Sequence, residues 1–197
     1  MVTDINQLDF SKTYTYADYL TWQFEERVEL IKGQLFRMSP APSRRHQRIS
    51  LILSNHLFNH FKKEACQVYT APFDVRLPDR KKSQKADREI LTVVQPDICV
   101  ICDREKLDDK GCLGAPDWII EILSPGNTRR ELNEKFRLYQ DNGVQEYWIV
   151  QPGDMTVTAL ILENGRYQLQ KIYSSDEIAY PALFPALPVD LTEVFAD

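Results

Sequence analysis

Two acids and one lysine in this chain sit where apolar residues are expected. Glu121 lies inside the run Trp-Ile-Ile-Glu-Ile-Leu at 118–123, and Asp97 follows Pro96 at the mouth of the apolar run Ile98–Cys102. A carboxylate in such a strand is costly unless it binds a cation or a metal. In the helical pattern of 128–142, Leu132, Leu138 and Tyr139 fall within about 60° of Lys135 at about 100° per residue. Lys135 therefore stands in the apolar stripe, where a lysine must either snorkel or meet a buried negative partner. Two acids on neighbouring buried strands plus an inward lysine make a metal-and-base site. The plainer alternative is a structural Lys–Glu pair with Asp97 capping a strand end.

Other groups carry weaker patterns. Cys99-x-x-Cys102 has metal or redox spacing, but it lies in PDICVICD, which reads as a buried strand. Residues three apart on a strand point to opposite faces, so the two thiols cannot grip one metal. The four cysteines read as small buried hydrophobes in a reducing compartment. His56 and His60 have helical metal spacing, yet no Glu follows His56 as a HExxH site requires. Ser124 follows Ile-Leu and reads as a turn residue.

Several elements must position the acids and the lysine. Tyr14–Phe24 reads as a short helix capped by Thr13 or Thr15. Arg27–Ile31 and Gln34–Met38 flank Lys32-Gly33, a hairpin signal. Ile49, Ile52, Leu53, Leu57 and Phe61 share one face of a helix running to Lys63. Gln67–Leu77 reads as one strand, 78–89 as a charged loop and 103–116 as a polar loop. Buried strands are expected at Ile98–Cys102, Trp118–Leu123 and Tyr147–Val150. Between the last two, Thr128-x-x-Glu131 forms a capping box and Gly143 ends the helix. Met155–Leu162 and Arg166–Tyr173 form a hairpin about Asn164-Gly165, and a short helix closes the chain near Leu191–Phe195. The order fits a mixed α/β (α+β) sandwich around a central sheet.

These residues carry a resemblance. Pro96-Asp97 with Glu121-Ile-Leu resembles the PD-(D/E)XK nuclease motif. The stretch PDICVICD with APDWIIEILSPGNTRRELNEKFRLYQDNGVQEYWIV is similar to a large bacterial family of restriction-endonuclease-like proteins. The strongest match covers Pro96–Pro152, and VELIKGQLFRMSPAPSRRHQRI matches more weakly. The resemblance implies a restriction-endonuclease-like core with a central mixed sheet flanked by helices. It also implies Mg²⁺ (or Mn²⁺) held by Asp97, Glu121 and the carbonyl of Ile122, and metal-assisted hydrolysis of DNA phosphodiester bonds. The superfamily places a lysine two residues after the Glu; here that position is Leu123. The family resembled supplies it from the following helix, which matches Lys135. Glu29 matches a family acid expected near the metal, the alternative being an exposed strand-edge carboxylate. His46 matches a family histidine at the start of the long helix, placed either to contact phosphate or assist the leaving oxygen or simply to begin the helix. If Leu123 marks decay of the site, the chain is instead an inactive nuclease-fold module that binds nucleic acid or acts as a dimeric interaction partner.

Charge first argues against nucleic acid and then admits it. The 197 residues carry 24 Lys+Arg against 29 Asp+Glu, a net charge of −5, which excludes a uniformly basic DNA-coating protein. Residues 27–88, however, hold 14 basic against 5 acidic side chains, or +9, whereas 89–197 hold 9 against 19, or −10. Arg44, Arg45, Arg48, Lys81, Lys82 and Arg129 are the candidates for contacting a phosphate backbone. No apolar run approaches the ~18 residues of a membrane span, and the first residues do not resemble an export signal, so a cytoplasmic protein is expected. One domain spanning 1–197 is expected, with a core at about 27–173, an amino-terminal helix at about 14–25 and a tail at about 174–197. Cutting two antiparallel strands suits a homodimer.

Overall fold

The computed structural model describes residues 1–38, 42–78, 87–126 and 129–196. Its helices are α1 (Tyr16–Tyr19), α2 (Arg44–Phe61), α3 (Arg129–Asn142) and α4 (Leu191–Val194). The strands of the first half are β1 (Val28–Ile31), β2 (Gln34–Arg37), β3 (Gln67–Thr70), β4 (Val75–Arg76), β5 (Val93–Val94) and β6 (Ile98–Ile101). Then follow β7 (Leu107–Asp108), β8 (Gly111–Leu113), β9 (Trp118–Ile122), β10 (Glu146–Gln151), β11 (Thr156–Glu163), β12 (Arg166–Ser174), β13 (Ile178–Ala179) and β14 (Val189–Asp190).

Among the described residues the strands form two six-stranded mixed sheets and a two-stranded ribbon. The central sheet has the order β12-β11-β10-β9-β6-β3; β9 and β10 run parallel with α3 as their crossover, and the other pairs are antiparallel. Strand alternation builds a separate core on each face. Ile98, Val100, Trp118, Ile120 and Ile122 pack with Ile49, Leu53, Leu57 and Phe61 of α2 on one side. On the other, Cys99, Ile101 and Ile119 pack with Leu138 and Tyr139 of α3 and with Val75, Val94 and Cys112 of the second sheet.

The second sheet, β2-β1-β5-β4-β8-β7, sets this architecture apart from a sandwich around one sheet. Its mixed α+β character agrees with the sequence; the extra sheet was hidden because β4, β5, β7 and β8 are only two or three residues long. Two sequence expectations are corrected here. Gln67–Leu77 is not one strand: the chain leaves the central sheet at Ala71-Pro72, where proline removes a ladder donor and restricts the residue before it, and β4 joins the second sheet. The polar loop 103–116 contains the β7–β8 hairpin.

The α1 cap is Thr15, whose side chain exchanges hydrogen bonds with Asp18 in a capping box. Gly143 ends α3 with φ 84°, as its sequence position suggests. Thr128 of the expected second capping box, and Lys81 and Lys82, lie outside the described residues. Among the described residues no helix is long and apolar enough to cross a membrane.

The cysteines need a further correction. Cys99 is a buried thiol in the core beneath α3, and Cys102 packs against the opposite core, as alternation requires. Cys66 and Cys102, however, are joined by a disulfide. The pairing of Gln67 with Ile101 places them opposite each other at the end of β3 and β6. Their separation of 36 residues concealed this partnership in the sequence.

Candidate active site

The three acids and the lysine come together where the two sheets and α3 meet. β9 buries Glu121 on the face covered by α3, and one turn of α3 supplies both of its partners. Lys135 Nζ donates to Glu121 Oε1 at 2.9 Å, and the Tyr139 hydroxyl donates to the same oxygen at 2.6 Å. Lys135 also lies 3.2 Å from Glu29 Oε1, contributed by β1 of the second sheet. Glu29 is held in turn by the Gln95 backbone N–H at 2.9 Å. Asp97 Oδ2 accepts the Ile122 backbone N–H at 2.7 Å and lies 3.3 Å from His46 Nε2 at the start of α2. That start is capped by the Ser43 hydroxyl, which accepts the His46 N–H.

Lys135 joins Glu121 to Glu29 and makes no ion pair with Asp97. Asp97 sits at the strand mouth, where Ile122 and His46 draw its engaged oxygen away from the lysine. The five residues nevertheless line one cleft of about 540 Å³, with Ile122, Leu123, Gln95 and Tyr147. Leu123 thus faces the cleft from the position at which the superfamily resembled carries its lysine.

Burial and charge tune these groups in opposite directions. The Glu121 carboxyl is raised to about 7: burial, with the charges of Asp97 and Glu29, outweighs the downward pull of Lys135 and of the Tyr139 hydrogen bond. Burial would lower Lys135, but the Glu121 and Glu29 carboxylates outweigh it and hold the ammonium above its ordinary range. Burial also lowers His46, yet the hydrogen bond and charge of Asp97 prevail and raise it. Burial, followed by the charges of Glu121 and Glu29, holds the Tyr139 hydroxyl protonated, so it acts as a donor.

Each of Glu29, Asp97 and Glu121 has one oxygen engaged by the protein and a second with no hydrogen bond among the described residues. These three carboxyl groups thus share the cleft with a single lysine. Among the described residues no group of three His, Cys, Asp or Glu side chains is arranged to hold a metal ion. Mg²⁺ does not need such a group, since it keeps several waters and commonly takes one or two carboxylates.

The arginines expected to meet phosphate are placed elsewhere. Arg44 is exposed and Arg45 partly buried on α2, and Arg129 is exposed at the start of α3; none of these lines the cleft. Arg48 faces a different hollow, where its Nε donates to the Ala196 carbonyl. Arg27 and Arg37 of the β1–β2 hairpin do line the cleft. Sequence reasoning passed over them, together with Gln95 and Tyr147. Tyr139 was within its reach, because it stands one turn from Lys135 on the same stripe.

Comparison with known proteins agrees with this fold. A crystal structure from Anabaena variabilis, described as "a putative nuclease belonging to DUF820", superposes with a TM-score of 0.70 at 21% identity, covering 93% of this chain and 98% of that one. An uncharacterized protein of Synechocystis sp. is 23% identical over 178 residues, 88% of each chain. The family model described as "Uma2: Putative restriction endonuclease" matches residues 16–192, and the chain belongs to that family.

Proposed function

We propose that this chain is a metal-dependent endonuclease that hydrolyses DNA phosphodiester bonds, with its lysine delivered from the helix after the Glu strand. The observation that carries the reading is Lys135 Nζ held 2.9 Å from the buried Glu121 and 3.2 Å from Glu29. Asp97 and Glu121 would hold Mg²⁺ or Mn²⁺, with Glu29 beside them and the Ile122 carbonyl as a main-chain ligand. Such an ion supplies Lewis acidity at a phosphoryl oxygen and lowers the pKa of bound water.

The residues of the chain divide the remaining work. Lys135 stays charged at neutral pH, so it serves as an electrostatic donor and not as the general base. It orients the attacking water and stabilises negative charge that develops at phosphorus. Tyr139 fixes the Glu121 oxygen that Lys135 also contacts. His46 directs Nε2 at Asp97 and acts as a positioning residue for that ligand. A homodimer would present two such centres to the two strands of a duplex.

Plasmid nicking is the test. Wild-type protein should nick with Mg²⁺ or Mn²⁺ and stop with EDTA, and Glu121→Gln and Asp97→Asn should each lower the rate by at least about a hundredfold. Cleavage that survives both substitutions would overturn the assignment. A folded protein that binds DNA but cuts with neither metal would leave the nuclease-fold binding module, the reading favoured by Leu123.

A further inference from the structure

One wall of the cleft is apolar, and nothing in the core requires it to be. Phe36, Met38, Leu123 and Leu132 line the cleft, yet among the described residues none of them packs against any of the three buried hydrophobic clusters. Their positions follow from the elements. β1 and β2 pair antiparallel with Glu29 directly opposite Phe36, so acid and ring stand side by side on one face of the hairpin. Leu123 follows β9 two residues beyond Glu121, and Leu132 lies one turn before Lys135 and Phe136 on α3. The Phe36 ring has no aromatic partner among the described residues. A half-buried aromatic side chain beside a carboxylate, outside the core and facing a cleft, is available to a ligand.

The two halves of the cleft match the two halves of a nucleotide. Lys135 and the carboxylate cluster address a phosphate, and the apolar wall beside Glu29 addresses a planar, weakly polar base. A cleft of about 540 Å³ is of small-molecule size. Its size suits one unpaired nucleotide. Charge at the mouth points the same way. Glu25, Glu26, Glu131 and Glu134 line it against Arg27 and Arg37. This balance disfavours the paired phosphate rows of a duplex. Arg27 remains for a neighbouring phosphate of one strand, whereas Arg37 donates to Asn6 and lies over the Phe10 ring.

We infer that the cleft takes single-stranded DNA, or a strand locally unpaired from its duplex, and that the base beside the scissile phosphate stacks on Phe36. The inference rests on the nuclease reading for the phosphate side and goes beyond it in naming the form of the substrate. In a homodimer each centre would take one strand in this way.

Binding separates it from catalysis. Full-length protein carrying Glu121→Gln, to prevent cutting, would be titrated with fluorescein-labelled oligo-dT and with a blunt hairpin duplex. The oligo-dT should bind at least about tenfold more tightly. Adding Phe36→Ala should weaken oligo-dT binding about tenfold, Phe36→Tyr should restore it, and duplex binding should change little. In a Phe36→Trp variant the added indole fluorescence should be quenched as oligo-dT saturates. Equal affinity for both DNAs, or an unchanged Kd in Phe36→Ala, would overturn the inference while leaving the plasmid test free to succeed. Tight oligo-dT binding through Phe36 in a wild-type protein that never cuts would support this platform and overturn the nuclease reading alone.

Discussion

Glu146 shows how a single buried acid can be structural in the same fold where we propose a chemical role for Glu121. It is fully buried at the start of β10, where Oε1 accepts the Trp148 indole N–H at 2.7 Å and the Ala182 N–H at 3.0 Å. Oε2 accepts the Leu183 N–H at 2.9 Å, so Glu146 fastens the carboxy-terminal segment to the central sheet. Glu146→Ala should cost roughly 2–4 kcal/mol in urea unfolding, because the buried Trp148 indole and two half-buried backbone N–H groups lose their acceptor. A loss below about 0.5 kcal/mol would contradict this anchoring role. Glu121 differs in that a lysine and a tyrosine converge on one of its oxygens and the residue lines a cleft. Glu121 breaks an apolar run and Glu146 opens one, and neither pattern says which acid is which. That distinction needs the donors at 182–183 and at 135–139, supplied by segments on either side. Asp97, Glu121 and Lys135 were legible because strand and helix periods place them inward. The engagement of Lys135 with Glu29 was not, since it depends on how the second sheet docks.

The elements divide by length in what their sequence discloses. α2, α3 and the β11–β12 hairpin carry a full period and stand close to where the pattern puts them. β4, β5, β7 and β8 are too short for any period, and they are what carries the β1–β2 hairpin, with Glu29 and Phe36, to the cleft. A buried arginine joins this sheet: Arg76 of β4 is paired with Asp108 of β7. Burial raises the Asp108 carboxyl, but the hydrogen bonds from Arg76 and the Lys110 backbone outweigh it, and the net shift is downward. A carboxyl depressed in the folded state contributes stability above its unfolded pKa, about 3.9, and loses it as pH falls through the folded value. Asp108→Asn should therefore lower stability at pH 7 and flatten the fall in stability below about pH 4. Identical acid limbs in thermal melts of the two proteins would show that the pair does not link the sheet to pH.

At the scale of the whole molecule, charge is distributed and not uniform. The net −5 conceals a segment of +9 at 27–88. Arg27 and Arg37 from that segment line the cleft, whereas Arg48 ties α2 to the carboxy terminus. The acidic cluster within the cleft calls for a counter-ion, and the placement of its lysine on α3 is the feature that distinguishes this centre. Single-turnover cleavage of labelled DNA by Lys135→Ala, set beside its Kd for the same DNA, tests that feature most directly. Loss of an electrostatic donor that acts in the transition state predicts a rate lower by about a hundredfold or more, with the Kd within about threefold of wild type. Cleavage at the wild-type rate by a folded Lys135→Ala protein would contradict the account.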